Sequence, residues 1–483
     1  MRPRSLVAAA LLAPGLLRAQ PATDSLAPAA RAARIEHDLR SGAAVRGRPV
    51  ERASLEARMR ALGVPAVSIA VIDGGRVAWS RAYGMADVAT GRRATTATLF
   101  QAASMSKPVA STAALQLVAE GKLTLDGDVN GSLRSWQVPA SAASGGKPVT
   151  LRQLLTHTAG LTVHGFPGYA ADSAVPTVVQ VLNGERPANT AAVRVDTVPG
   201  TRWRYSGGGM TVMQLLLSDV TGKPFDALLD ERVLEPAGMR RSTFSQPIAE
   251  AFLPDVATGY RRGGAPIPGL YHTYPEMAAA GLWTTPSDLG RWIVAIQRAH
   301  DGLSNGILPR PLAQAMLTPG LGNWGLGVGI EGTGDARRFA HGGANEGFRG
   351  QFVGYVTGGR GVVVMTNSDA GGALAVEMSA AVAREYGWPG LEPREIVPVA
   401  IDSTKLLEVA GRYAAADGGI FTASRDGDDL IVTTPTGRRV RLVATAADQF
   451  TMIEGGNVMR LERDAGGRVA ALLLGPERYA RQP

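Results

Sequence analysis

The chain has 483 residues, 45% of them apolar and 6% aromatic, and no cysteine. That is enough apolar material for two or three domains, and it excludes fibrous and disordered classes, a disulfide scaffold, a zinc ribbon and a thiol nucleophile. The net charge of +8 comes from short scattered pairs such as Arg92-Arg93 and Arg337-Arg338, never a long basic run among aromatics, so no nucleic-acid partner is expected.

Arg2 and Arg4 precede an apolar run over residues 5–13, and Leu17-Arg18-Ala19 offers a cut. Residues 1–19 therefore predict a signal peptide cleaved near Ala19 and an exported protein, periplasmic or secreted. Pro14-Gly15 interrupts the run, and no later stretch reaches about 18 uninterrupted apolar residues, so no stable membrane span is expected. Residues 20–50 form an Ala/Arg/Pro-rich N-terminal segment with a helix expected around 29–39, and a second short helix is expected over 56–62. Two apolar runs, 66–72 and 76–83, flank Asp73-Gly74-Gly75, the pattern of a β-hairpin. Residues 104–120 carry apolar side chains at helical spacing up to Gly121, and shorter helical patterns follow at 151–156, 210–220 and 225–234. Thr285-Pro286 announces another helix running to residue 299. Strands are expected at 338–341, 351–356 and 361–366, then a helix over 373–386 stopped by Gly387. Strands near both ends of residues 51–390, with helices mostly between, suit an α+β architecture: an antiparallel sheet completed by distant segments and covered by helices. Residues 391–404 read as a linker. Residues 405–483, short runs cut by Asp426-Gly427, Gly455-Gly456 and Gly466-Gly467, read as a small antiparallel β-barrel or sandwich.

Ser104-Met105-Ser106-Lys107 is the sharpest chemical feature. Side chains three apart share a helix face, so a desolvated Lys107 could take the proton of the Ser104 hydroxyl and make it a nucleophile. A second such spacing, Ser144 to Lys147, lies in a glycine loop where no helix aligns it. Tyr205 precedes Ser206-Gly207-Gly208-Gly209 at a helix entry, and a phenol near cations could lose its proton and act as a base. Phe339-Ala340-His341-Gly342-Gly343-Ala344 ends a strand in glycines, which would let a substrate approach the sheet edge.

In this order the motifs resemble the serine β-lactamase-related superfamily: class C β-lactamases, D-alanyl-D-alanine carboxypeptidases and family VIII carboxylesterases. Leu154-Leu155-Thr156-His157-Thr158-Ala159-Gly160-Leu161 and Gly281-Leu282-Trp283-Thr284-Thr285 extend the likeness across roughly residues 35–390. The resemblance implies a β-lactamase/transpeptidase-like sheet flanked by helices, an all-helical lobe, and a site between them. It implies Ser104 as the acylated nucleophile, Lys107 as proton acceptor, Tyr205 as a shared base and proton shuttle, and His341 as an electrostatic tuner. The oxyanion hole would be the N–H groups of Ser104 and Ala344, with Gly342 and Gly343 along the substrate and no cofactor required. One departure is Gly207, where many members carry an asparagine that contacts the substrate's acyl amide. It weighs against β-lactams and leaves esters or D-amino-acid peptides, with Asn345 as a candidate substitute amide. Arg349 is read as a surface ion pair, or else as a holder of a substrate carboxylate. The expected partner is a small-molecule or peptide substrate, and the C-terminal residues name no partner for the barrel. A second reading is a penicillin-recognising fold that binds cell-wall peptide without turnover.

Other signals carry little. Gly327-Val328-Gly329-Ile330-Glu331-Gly332 opens no helix, so it is no dinucleotide fingerprint. The six histidines show no metal spacing, no Gly-x-Ser-x-Gly elbow exists, and His157 is read as a structural hydrogen-bonding residue.

Overall fold

A computed structural model describes residues 28–483 except 304–306, 416–417, 436, 438, 455 and 476; the expected signal peptide lies outside the described residues. The main sheet begins with the hairpin, β1 (Ala66–Asp73) and β2 (Arg76–Asp87). Asp73 opposite Arg76 leaves a two-residue loop, Gly74-Gly75, with both residues at positive φ, the mirror-image turn that matches strand twist. A short β3 (Arg92–Arg93) follows. The sheet is then completed from far downstream by β4 (Gly329–Glu331), β5 (Arg338–Asn345), β6 (Phe348–Tyr355) and β7 (Gly361–Thr366). The seven antiparallel strands lie in the order β3-β2-β1-β7-β6-β5-β4. Every residue of central β7 is buried because both faces are covered.

On one face, α1 (Pro28–His37), α2 (Leu55–Leu62) and the late α6 (Gly371–Tyr386) pack Ile35, Leu55, Leu374 and Met378 against Val67, Ile69, Val71, Val362 and Val364. The other face meets α5 (Pro286–His300), whose Thr285 cap accepts from Asp288 N at 3.2 Å, through Trp292, Ile293 and Ile296. The same core continues into a helical lobe containing α3 (Ser106–Ala119) and α4 (Gly207–Thr221). The site lies where that lobe meets the β5 edge.

The stretch read as a linker is not a free tether. Arg394–Ile396 pairs in parallel with Ala43–Val45, and Ser403–Val409 is helical, inserting Leu406 and Val409 into the C-terminal core. The alternative left open by the sequence resolves as a barrel rather than a sandwich. Eight antiparallel strands, β8 (Gly411–Ala414), β9 (Ile420–Asp426), β10 (Asp429–Thr433), β11 (Arg439–Ala446), β12 (Gln449–Met452), β13 (Val458–Arg463), β14 (Val469–Leu474) and β15 (Glu477–Arg481), close when β15 pairs with β8. Arg48 ties the N-terminal segment to the barrel through two bonds to Asp429, at 2.6 and 2.7 Å. Among the described residues no helix is long and apolar enough to cross a membrane.

Candidate active site

Ser104 lies in a tight 3-10 turn, Ala103–Met105, immediately before α3, rather than within the helix itself. Ala103 adopts a left-handed φ of 50°. The turn is held by Ser106 Oγ, which donates to Ala103 O at 2.5 Å and accepts from Leu282 N at 3.0 Å. The i, i+3 spacing still brings Lys107 Nζ to 2.9 Å from Ser104 Oγ, and the same nitrogen donates to Ala279 O at 2.7 Å. Lys107 is 2% exposed with no carboxylate beside it among the described residues, so burial alone lowers its pKa to about 7. A neutral amine touching a serine hydroxyl can accept its proton.

Tyr205 completes the contact. Lys107 Nζ stands 4.8 Å from its ring centroid, and the Ser104 side chain lies near enough to pull its pKa down. The sequence reading of this phenol as a ready base needs correction. Desolvation raises its pKa, and the nearby Ser104 side chain only partly opposes that, so the ring keeps its proton. His341 also differs from the expected charged tuner. Burial, then the field of Lys107, lowers its pKa to about 3, and its Nδ1 bonds to Gly342 O at 2.6 Å. It is a neutral ring packed near Tyr205 and Trp324.

The β5 edge presses against the Ser104 turn. A Cβ on Gly343 would collide with Ala102 O, so glycine is needed there for protein packing, whereas Gly342 is exposed with room for a side chain and Ala344 is exposed in the cleft. The candidate oxyanion donors, Ser104 and Ala344, both line this cleft, which encloses about 920 Å³.

Two sequence expectations move, at Gly207 and Asn345. Gly207 does not line the cleft: it is buried under residues 163–166, its N–H donating to His164 O at 3.0 Å, and a Cβ would sit 3.0 Å from Phe166 Cε2. Asn345 is no substitute substrate amide, because its Nδ2 donates to Gln101 Oε1 at 2.8 Å and Ala280 O at 3.2 Å. Arg349 pairs with Asp369 at 2.8 Å. Ser144 Oγ bonds within its own turn, to Ser141 O at 2.8 Å, apart from any site. Sequence reasoning passed over His164, Phe166 and Trp324, which with Trp203 make one wall of the cleft. Trp203 and Trp324 meet tilted by 43° with ring centroids 5.6 Å apart, and the signal for Trp324 was an aromatic set among the glycines of 320–329.

The chain has counterparts among known proteins. A family model described as Beta-lactamase matches residues 52–386. The chain belongs to the Beta-lactamase family. Its relatives in that family include Esterase EstB of Burkholderia gladioli, 31% identical over 257 residues, an alignment covering 49% of this chain and 64% of the relative. The carboxypeptidase/endopeptidase AmpH of Escherichia coli K12 is 26% identical over 233 residues, covering 48% and 57%. The D-aminopeptidase of Brucella anthropi is 28% identical over 303 residues, covering 59% and 53%. The chain thus spans less than two thirds of each relative's length. The octameric penicillin-binding protein homologue from Pyrococcus abyssi superposes with a TM-score of 0.61 at 24% identity, covering 88% of this chain and 99% of that one, a likeness of fold.

Proposed function

We propose that this member of the family is an exported serine hydrolase that works through an acyl-enzyme on Ser104, with a neutral ester as substrate. The carrying observation is the buried Lys107 amine at 2.9 Å from the Ser104 hydroxyl with no acid to hold its proton. Unprotonated Lys107 takes the Ser104 proton as Oγ attacks the carbonyl carbon. The tetrahedral oxyanion is met by the Ser104 and Ala344 N–H groups, and electrostatic stabilisation of that charge supplies much of the rate. Tyr205, beside Ser104 and Lys107, passes the proton to the departing alkoxide. Water then enters by the reverse relay and releases the acid.

Esters are favoured over carboxylate-bearing peptides by the wall of the cleft. His164, Phe166, Trp203 and Trp324 face it, and besides the Lys107 amine the basic group lining it is Arg338, bonded to Glu331 at 2.7 Å. The relatives' names span ester and D-peptide carbonyls, and the esterase fits this wall best. The glycine at 207, where many members carry asparagine, keeps one alternative, a fold that holds cell-wall peptide without turnover. Labelling with a fluorophosphonate and a fluorescent penicillin separates the two. Wild type labelled and Ser104→Ala unlabelled supports the hydrolase; no adduct with either probe overturns it.

A further inference from the structure

His157 was read from sequence as a histidine serving its own turn, but its bonds run to the segment that carries the phenol. Residues 204–208 are zipped along the loop 157–164. Arg204 N donates to His157 O at 2.8 Å, Arg204 Nη2 to Gly160 O at 3.0 Å, Ser206 Oγ to Thr162 O at 2.9 Å, Gly207 N to His164 O and Gly208 N to Val163 O, both at 3.0 Å. The acceptors in that series are main-chain carbonyls. Ser206 N is the exception: it donates to a side chain, His157 Nδ1, at 3.3 Å. His157 therefore grips the residue on each side of Tyr205, one with its carbonyl and one with its ring. That ring lies 4.3 Å from the phenol centroid and 5.2 Å from Trp324.

The grip has features that packing alone does not require. His157 holds a left-handed backbone, φ 56°, which a non-glycine residue adopts at a cost. Because Nδ1 accepts, the neutral ring carries its proton on Nε2, and that buried nitrogen has no partner among the described residues. An apolar side chain would fill the space without stranding a donor.

We propose that His157 is a positioning residue, holding the backbone about Tyr205 so that the phenol meets the Ser104 hydroxyl. The idea rests on the hydrolase reading for the role of that phenol, although the placement itself does not. Asparagine carries its side-chain oxygen where histidine carries Nδ1, whereas glutamine carries it one atom further out, near Nε2. His157→Asn keeps an acceptor for Ser206 N, and His157→Gln and His157→Leu remove it. Misplacing a reacting group by about 1 Å costs about 100-fold. The expected result is Ser104 acylation by an activated ester within about threefold of wild type for His157→Asn and about 100-fold slower for His157→Gln and His157→Leu, with the loss in kcat and KM nearly unchanged. The decisive quantity is the ratio between the asparagine and glutamine variants, which share the same loss of the imidazole ring and any common fall in Tm. A ratio near one overturns the proposal. The same contrast is read without turnover in the Tyr205 Cζ carbon resonance, assigned with Tyr205→Phe. The asparagine variant should keep the wild-type shift and the glutamine variant should not, and equal shifts in both overturn the proposal. A wild-type chain that fails to acylate sinks the hydrolase reading, and the resonance then decides this one.

Discussion

Lys107 at the floor of the cleft and Asp429 at the seam between the N-terminal segment and the barrel are equally sealed, each 2% exposed, and they answer burial in opposite ways. Desolvation pulls the Asp429 pKa upward, but bonds from Arg48 and Arg441 outweigh it and hold the carboxyl below its ordinary value. Lys107 meets only a hydroxyl, a carbonyl and an aromatic ring, so nothing offsets desolvation and its charge is given up near neutrality. Burial with a counter-charge makes a joint; burial without one makes a base.

The largest expected effect comes from removing the unpaired amine. Lys107→Ala should slow Ser104 acylation by about 1,000-fold or more, and Lys107→Arg should fail to rescue it, because a guanidinium does not give up its proton. Burst kinetics with an activated ester would show this, and an arginine variant with near-normal acylation would break the contrast. Tyr205→Phe comes next, with acylation slowed about 100-fold and KM little changed, if the phenol passes protons rather than binds substrate.

The titration of Lys107 sets two further outcomes. Since the unprotonated amine is the working form, kcat/KM should rise with pH through about 7. For stability, the folded pKa lies below the unfolded value of 10.5, so between about 7 and 10.5 the unfolded chain binds the extra proton and stability climbs with pH. Lys107→Met should therefore gain most over wild type below about pH 7 and lose that gain toward pH 10.5, as followed by denaturant melts.

The smallest effect lies at the joint. Asp429→Asn should cost about 1–3 kcal/mol, discounted for the partly exposed arginines that can turn to water, and leave Ser104 labelling intact. The folded pKa of Asp429 is depressed, so the pair's contribution is present above the ordinary carboxylate range and fades as pH falls through the folded value. Loss of labelling in this variant would mean that the seam and the cleft are coupled.

Local chemistry made much of this legible. The Gly74-Gly75 hairpin and the Thr285-Pro286 helix start are read from neighbouring residues, and the Ser104–Lys107 contact follows from one helical turn. The wall of the cleft was not legible, because Trp203, Phe166 and Trp324 meet only after three separate loops fold together. Asn345 looked available until β5 brought it to Gln101 and Ala280, and the 391–404 stretch looked slack until Arg394–Ile396 found Ala43–Val45 far upstream.

The sequence by itself determined which groups are present, at what spacing, and that a serine, a lysine and a phenol belong to one family pattern. Only the tertiary structure decided their protonation: an amine ready to accept, a phenol that keeps its hydrogen, an imidazole without charge. The physical reason is that spacing is a property of neighbours along the chain, whereas desolvation is imposed by whatever distant segments close over a group and by the counter-charges they fail to bring.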